Sequence, residues 1–274
     1  MDKCTNEFFM LNDDIKHSHE FNDKEIKTGR SLYEVIRIID AKPLFLEKHM
    51  ARMKNSAKVA NLKLWLSIEK VKKNILKLIE VNNINIGNIK IVFNFNDENN
   101  FFAYFIEHHY PDTEDYKNGV DTILYSAERE NPNAKIINVD FRKLVDIRIK
   151  KKNVYEAILV DKKGYITEGS RSNVFFVKGD RLITAPLEQV LPGTTRQVIL
   201  EICGEMNINV IEKKINHNDI DEFDALFICG TSPKVLPVKL VDNFQFRSSQ
   251  NKIVNEIMKN YDIKVENNIK NLIL

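Results

Sequence analysis

The chain has 274 residues, of which 43% are hydrophobic and 29% charged, a composition that fits a globular protein with one large domain or two smaller ones. Its formal net charge of +2 gives no electrostatic reason to expect a nucleic-acid or membrane partner, and no apolar run approaches the roughly 18 residues that span a bilayer. The three cysteines and six histidines show neither a disulfide framework nor zinc-binding spacing, so we expect a reduced, cytoplasmic protein without a metal site.

Hydrophobic periodicity predicts a small α/β unit in the first part of the chain. Short or alternating apolar runs predict four strands, at residues 8–11, 32–40, 89–95 and 101–106. Apolar residues at helical spacing predict two helices between the second and third strands, at residues 46–61 and 67–81. We expect mostly antiparallel strands here, and we assign residues 1–107 to an N-terminal α/β domain.

A polar stretch with few large aliphatic residues, 108–119, predicts a linker, and residues 120–274 then form a second domain. Its predicted strands are 120–126, 155–161, 165–168, 172–177, 182–185, 209–215 and 225–229. Its predicted helices are 139–152, a segment that follows Thr195, a short one at 218–222 and a last one at 250–261.

The turn Leu191-Pro192-Gly193 leads directly into Thr194 and Thr195, which open one of these helices. The first N–H groups of a helix have no intrahelical partner, and the helix dipole adds partial positive charge there. Such an end binds phosphate well. The alternative is that one of the threonines is an ordinary N-cap, and the residues alone leave both open.

A second turn of small residues, Gly230-Thr231-Ser232-Pro233, follows the predicted strand 225–229. Its N–H and hydroxyl groups can hold an anion, although such residues are also common in ordinary turns. The chain contains neither a Walker-type loop nor a G-x-G-x-x-G motif, which disfavours a nucleotide-binding fold. The residues by themselves predict an α/β protein with one or two anion-binding turns, and they single out no catalytic lysine.

A long segment of the second part, residues 155–196, reads YEAILVDKKGYITEGSRSNVFFVKGDRLITAPLEQVLPGTTR. Shorter motifs are TGRSLYEVIR at 28–37, LFLEKHMAR at 44–52 and FICGTSPKVLPV at 227–238. Together these segments resemble the class IV aminotransferases, the pyridoxal-phosphate (PLP) enzymes of fold type IV. The resemblance implies an α/β (α+β) fold of two domains, with a smaller N-terminal α/β domain and a larger C-terminal domain built on a β-barrel-like sheet with helices.

The resemblance also implies which residues hold the cofactor. The family's Schiff-base lysine precedes the "EA" strand motif, as Lys135 does here at 21 residues before Glu156, with Asn138 three positions after the lysine. Glu168 matches the glutamate that bonds the pyridine nitrogen of PLP, and Arg52 matches the arginine on the PLP phosphate. The remaining matches to phosphate contacts are Thr194, Thr195, Thr231 and Ser232.

Substrate-side positions depart more from the family's pattern. Tyr33 matches an aromatic strand position that lines the active site, whereas Arg30 adds a bulky charge beside it. The strand before the linker often ends in an arginine that meets a substrate carboxylate. Here His108 or His109 would substitute, unless both are linker histidines in solvent. Arg129 occupies a place where the family often has a basic residue.

These matches predict a PLP-dependent aminotransferase that transfers an amino group between an amino acid and a 2-oxo acid through a Lys135 Schiff base. The alternative within the family is 4-amino-4-deoxychorismate lyase, which eliminates pyruvate from aminodeoxychorismate to give 4-aminobenzoate. A third hypothesis is a family member that binds PLP or a partner without turnover. The resemblance further implies a homodimer, and the residues leave the identity and stereochemistry of the substrate open.

Overall fold

The computed structural model describes residues 3–272, and these residues fall into two compact units. The N-terminal unit comprises the described residues up to His109, together with Ala134–Ile137 and the residues from Val265 onward. The C-terminal unit comprises Tyr110–Asn133 and Asn138–Lys264. The short segment that contains Lys135 therefore belongs to the N-terminal unit, although the residues on either side of it belong to the other.

The N-terminal unit is built on a six-stranded sheet in which every described pair of neighbouring strands is antiparallel. The strands are β1 (Phe8–Leu11), β2 (Asp14–His17), β3 (Arg30–Ile39), β4 (Lys42–Pro43), β5 (Gly87–Phe95) and β6 (Asn100–Ile106), in the spatial order β2-β1-β6-β5-β3-β4. The helices are α1 (Asp23–Lys27), α2 (Leu46–Val59) and α3 (Ile68–Val81). The predicted antiparallel α/β unit is confirmed, and the additional elements β2, β4 and α1 were not predicted.

Alternation along β3 separates the two faces of this sheet, because successive side chains of a strand point to opposite faces. Leu32 and Ile36 are fully buried in the core that α2 and α3 cover. Tyr33 points to the opposite face and packs against a cluster that includes Tyr104. Glu34 departs from the pattern, since it is a carboxylate that lies fully buried on the helix-covered face.

The C-terminal unit is built on a ten-stranded mixed sheet that curls into a half-barrel. Its strands are β7 (Val120–Ser126), β8 (Glu156–Val160), β9 (Tyr165–Gly169), β10 (Asn173–Lys178), β11 (Arg181–Thr184), β12 (Asn209–Glu212), β13 (Ile215–Asn216), β14 (Ala225–Gly230), β15 (Lys234–Val241) and β16 (Phe244–Gln245). The spatial order is β12-β11-β10-β14-β15-β7-β8-β9-β13, with β16 beside β15. The remaining helices are α4 (Thr113–Asn118), α5 (Val139–Lys152), α6 (Thr194–Glu205) and α7 (Lys252–Asn271). The predicted fold class is confirmed.

Two crossover connections join parallel strands of the C-terminal sheet. Strands β7 and β8 are parallel and are connected through α5, while β11 and β12 are parallel and are connected through α6. In such connections the loop after the first strand lies at the carboxyl end of the sheet, where α/β proteins commonly bind ligands. The first of these loops carries Lys135, and the second ends in the turn before Thr194.

Two predicted boundaries were wrong. The last helix extends from Lys252 to Asn271, well past the predicted end at residue 261, because buried residues continue at helical spacing through Val265 and Ile269. The predicted strand 209–215 is two strands, since β12 pairs with β11 and β13 pairs with β9. The polar segment 108–119 contains α4, whose first turn is closed by a capping box.

Candidate active site

Lys135 lies in the loop between β7 and α5, within an extended segment that pairs with β3. An antiparallel bridge joins Leu32 to Ile136, and the Tyr33 N–H donates to the Lys135 carbonyl at 3.1 Å. This register sets Lys135 opposite Tyr33 on the same face of the sheet, with Lys135 Nζ 4.6 Å from the centre of the Tyr33 ring. The Lys135 N–H also donates to Ser56 Oγ of α2 at 3.1 Å. The lysine therefore has a defined position.

Two asparagines fix the ends of the lysine segment. The Asn138 side chain accepts a hydrogen bond from the Phe141 N–H at 3.0 Å and caps α5. This cap sets where α5 begins, which explains why an asparagine lies three positions after Lys135. At the other end, Asn133 Nδ2 donates to two backbone carbonyls of the loop after β11, at 2.7 and 2.8 Å.

A buried ion-pair cluster lies on the helix-covered face of the N-terminal sheet. The Glu34 carboxylate accepts hydrogen bonds from Arg52 Nε at 2.8 Å and from Arg52 Nη2, and it lies 2.8 Å from His49 Nδ1. Burial raises the pKa of the Glu34 carboxyl, but the charge and hydrogen bonds of Arg52, with those of His49, outweigh burial and lower this pKa to about 2. Burial lowers the pKa of His49 despite the neighbouring carboxylate. The cluster fixes the plane of the Arg52 guanidinium.

Glu168 lies on β9, and its side chain is buried, whereas a glutamate at the end of a strand is usually exposed. Its Oε2 accepts hydrogen bonds from the Leu191 N–H at 2.9 Å and from Asn173 Nδ2 at 3.4 Å. Its Oε1 accepts a hydrogen bond from Arg129 Nη1 at 3.1 Å. Three donors of the C-terminal unit therefore hold a buried carboxylate in one orientation.

A second buried carboxylate, Glu156 on β8, organises the loop that follows Glu168. Glu156 Oε1 accepts a hydrogen bond from Ser170 Oγ at 2.6 Å. Its Oε2 accepts hydrogen bonds from Ser172 Oγ at 3.0 Å and from the Arg171 N–H at 3.1 Å. The motif EA…EGSRSN is thus one structural unit, in which the first glutamate positions the loop next to the second.

Thr194 and Thr195 are buried and form the first turn of α6. Gly193 is the N-cap, and no described side chain caps this helix, so the interpretation of a threonine as N-cap was wrong. A Cβ at Gly193 would lie 2.0 Å from Asn173 Oδ1, which explains the glycine. Thr195 Oγ1 lies 3.4 Å from the Tyr261 hydroxyl. Both threonine hydroxyls therefore belong to the helix start, where anions bind.

Thr231 and Ser232 lie in the turn between β14 and β15, and both are half-buried. Antiparallel pairing of Gly230 with Lys234 closes this turn. Lys234 adopts a φ of 52°, in the left-handed region, so the backbone bends sharply where the second strand begins. The two hydroxyl residues are therefore presented at the end of a strand of the C-terminal sheet.

The substrate-side residues lie in different settings. His108 and His109 are exposed after β6. Arg30 Nη1 donates to the carbonyl of Ala60, the residue just after α2, at 3.0 Å, where a cation complements the helix dipole. A second lysine that was not predicted, Lys90 on β5, is buried and has its Nζ 4.6 Å from the centre of the Tyr33 ring.

Within each unit the structure brings together some of the predicted residues. Lys135 contacts Tyr33 in the N-terminal unit. In the C-terminal unit, hydrogen bonds through Asn173 and the backbone of the 191–193 turn connect Glu168 to the start of α6. The partners Glu34 and Asn173 were not predicted, and their only signal was their presence inside the motifs LYEVIR and EGSRSN.

Among residues 3–272, no group of three or more His, Cys, Asp and Glu side chains is placed to hold a metal ion. No helix in the described part of the chain is long and apolar enough to cross a membrane.

Burial raises the pKa of the Cys203 thiol to about 11 and that of the Cys229 thiol to about 12. Neither thiol is therefore a nucleophile at neutral pH.

Comparisons with known proteins agree with this geometry. The family model for class IV amino-transferases matches residues 31–241. A Methanocaldococcus jannaschii protein, provisionally named a branched-chain-amino-acid aminotransferase, is 30% identical over 254 residues, which cover 86% of this chain and 86% of the relative. A D-alanine aminotransferase from Bacillus licheniformis is 27% identical over 236 residues, covering 81% of this chain and 83% of the relative.

A solved structure shows the same fold. The branched-chain amino acid aminotransferase of Escherichia coli aligns with a TM-score of 0.85 at 22% identity, covering 95% of this chain and 95% of that chain. The match of the family model extends over most of the sequence, and it includes both crossover loops described above. The protein therefore belongs to the class IV aminotransferase family.

Proposed function

We propose that this protein is a PLP-dependent aminotransferase that moves an amino group between an amino acid and a 2-oxo acid, with Lys135 as the residue that binds the cofactor covalently. The observation that carries the proposal is the position of Lys135. A segment of extended chain pairs with β3 and sets the lysine amine against the Tyr33 ring. Membership of the family supports the reaction class.

The residues around Glu168 fit the ring nitrogen of PLP. The carboxylate is buried and accepts hydrogen bonds from the Leu191 N–H at 2.9 Å and from Arg129 Nη1 at 3.1 Å. Hydrogen bonds and a neighbouring positive charge favour the ionised form of a carboxyl group. An ionised carboxylate in a buried setting is a strong acceptor for the N–H of a protonated pyridine. We therefore assign this role to Glu168.

Other residues fit the phosphate of PLP. Thr194 and Thr195 offer buried hydroxyls at the start of α6, where backbone N–H groups and the helix dipole favour an anion. Thr231 and Ser232 offer further hydroxyl and N–H donors. Arg52 supplies a guanidinium whose plane is fixed by Glu34, and a planar guanidinium suits a phosphate group. We assign the five residues Arg52, Thr194, Thr195, Thr231 and Ser232 to the phosphate.

The chemistry divides between the cofactor and the chain. Bound PLP supplies an electron sink that makes loss of the substrate Cα proton feasible. Lys135 would hold the cofactor, and its Nζ, when free, would be the base that takes this proton and the acid that returns it. The Tyr33 ring restricts the movement of the amine, which keeps the donor and acceptor atoms aligned.

The names of the relatives suggest the substrates to test first. One relative is named a branched-chain-amino-acid aminotransferase and another a D-alanine aminotransferase. Both names refer to small aliphatic amino acids, and we propose this class as the amino donor. A panel of branched-chain amino acids, alanine and glutamate in both stereochemical forms, with pyruvate and 2-oxoglutarate as acceptors, would identify the pair.

The experiment that tests the proposal begins with purified full-length protein and added PLP. We expect a visible absorbance band of the lysine-linked cofactor, and after borohydride reduction we expect the cofactor mass on the peptide that contains Lys135. Lys135→Ala abolishes both signals, whereas Lys143→Ala, which removes an exposed lysine of α5, leaves them intact. A wild-type protein that binds no PLP, or a label on another lysine, contradicts the assignment.

The amino-donor panel then separates the reaction classes. Addition of a substrate amino acid should convert the bound cofactor to its amine form and release the 2-oxo acid. Release of pyruvate from aminodeoxychorismate without this half-reaction would identify the lyase instead. Bound PLP without turnover of any donor or of aminodeoxychorismate would show a protein that holds the cofactor but does not use it.

A further inference from the structure

We propose that Arg129 is a positioning residue that acts on the cofactor through Glu168, and that it does not hold the phosphate. The proposal rests on the proposed function, because Glu168 meets a pyridine nitrogen only in a protein that binds PLP. Its evidence is the geometry of the Glu168 carboxylate within the C-terminal unit.

The two oxygens of Glu168 are held by different partners. Arg129 Nη1 donates to Oε1 at 3.1 Å, with the Arg129 side chain 17% exposed and that of Glu168 3% exposed. The other oxygen, Oε2, accepts hydrogen bonds from the Leu191 N–H at 2.9 Å and from Asn173 Nδ2 at 3.4 Å. Rotation of the carboxylate plane would therefore disturb contacts at both oxygens.

Arg129 differs from the other two donors because it carries a charge. Burial favours the protonated form of a carboxyl group, and a nearby cation favours the ionised form. Arg129 therefore does two things to Glu168: its hydrogen bond orients the carboxylate, and its guanidinium places a positive charge beside it.

A basic residue at this place could in principle contact the phosphate of PLP instead. The two roles predict different behaviour toward pyridoxal, which has the same ring and aldehyde but no phosphate. A residue that acts through Glu168 matters equally for both compounds, whereas a phosphate ligand matters for PLP alone.

The test is a titration of full-length apoprotein with PLP and, separately, with pyridoxal, counting only the absorbance that Lys135→Ala abolishes. We expect Arg129→Gln to weaken the binding of both compounds by about tenfold, the effect of losing one hydrogen bond to a charged group. Arg129→Lys should restore most of the affinity. Arg181→Gln, which removes an exposed arginine ion-paired to Asp180, is the matched control and should change neither value. Circular dichroism checks that each variant is folded.

A double variant gives a second, independent measurement. If Arg129 acts through Glu168, then Arg129→Gln has no further effect in a Glu168→Gln background, because the two changes are coupled. Weaker binding of PLP with unchanged binding of pyridoxal, or additive losses in the double variant, would overturn the proposal while the proposed function stands. Wild-type protein that binds neither compound overturns both.

Discussion

Lys135 lies directly opposite Tyr33 in an antiparallel pairing, and its Nζ is 4.6 Å from the centre of the tyrosine ring. The lysine comes from a loop far along the chain, yet it occupies a register position in the N-terminal sheet. Because cross-strand neighbours share a face of the sheet, the pairing with β3 decides which way the lysine side chain points.

This relationship makes Tyr33 a test of how the lysine is held. We expect Tyr33→Phe to keep most of the transamination rate, since the ring face is retained. Tyr33→Ala should lower the rate about tenfold or more, because the amine is no longer confined to a reactive position. Steady-state rates with a saturating donor measure this, and equal losses in both variants would show that the hydroxyl matters more than the ring.

The Glu34–Arg52 pair predicts the acid sensitivity of the protein. The pKa of Glu34 is lowered from 4.5 to about 2, so its ionised form stabilises the fold above pH 4.5, and this contribution is lost as the pH falls from 4.5 toward 2. Denaturant unfolding of the apoprotein across this pH range should show the decline.

Glu34→Gln removes one partner of this buried pair. We expect the free energy of unfolding at pH 7 to fall by about 3 kcal/mol, and the decline between pH 4.5 and 2 to become shallower. Glu98→Gln, a change at an exposed position, serves as control and should alter neither quantity. An unchanged pH dependence in Glu34→Gln would show that other carboxyl groups govern acid unfolding.

Gly193 offers a steric prediction. A Cβ at this position, the N-cap of α6, would lie 2.0 Å from Asn173 Oδ1. A Cβ at Gly204, near the end of α6, would meet nothing within 4 Å. Gly193→Ala should therefore destabilise the protein by about 1–3 kcal/mol and weaken cofactor binding, because Asn173 also contacts Glu168. Gly204→Ala should stabilise it by about 0.5–1 kcal/mol. Thermal unfolding of the pair gives the comparison.

Thr195 should influence the phosphate end of the cofactor alone. We expect Thr195→Val to weaken PLP binding by about tenfold and to leave pyridoxal binding nearly unchanged. Thr184→Val is a matched control, since it removes a buried hydroxyl that donates to the Val174 carbonyl at 2.8 Å. It should lower stability without changing selectivity between the two compounds. Equal loss for both compounds in Thr195→Val would exclude the phosphate role.

Local patterns predicted much of the fold. Apolar spacing located α2, α3 and the antiparallel strands of the N-terminal unit, and the Pro-Gly turn located the start of α6. The end of α7 was missed because Asn, Asp and Lys dilute the last turns, although Val265 and Ile269 keep the spacing.

The site was less predictable because it depends on contacts between distant residues. Nothing in the local pattern of Ala134–Ile137 indicates that this segment pairs with β3, since a single bridge leaves no alternation to detect. Glu34 reads as a polar residue in a strand, and its burial depends on Arg52, 18 positions later. Motif resemblance singled out Lys135 and Glu168 and noted a basic residue at Arg129, whereas the hydrogen bonds that hold Glu168 became visible only in three dimensions.

The bridge that holds the lysine segment also limits which changes in loop length the chain can tolerate. Side chains alternate between faces with a period of two residues, so an insertion or deletion of one residue between Asn133 and Lys135 would exchange the faces. The amine would then point toward the layer of α2, where Met50 and Met53 are buried. Among naturally varying relatives, we therefore expect length differences in this loop to fall before Asn133, and those within the segment to come in pairs of residues.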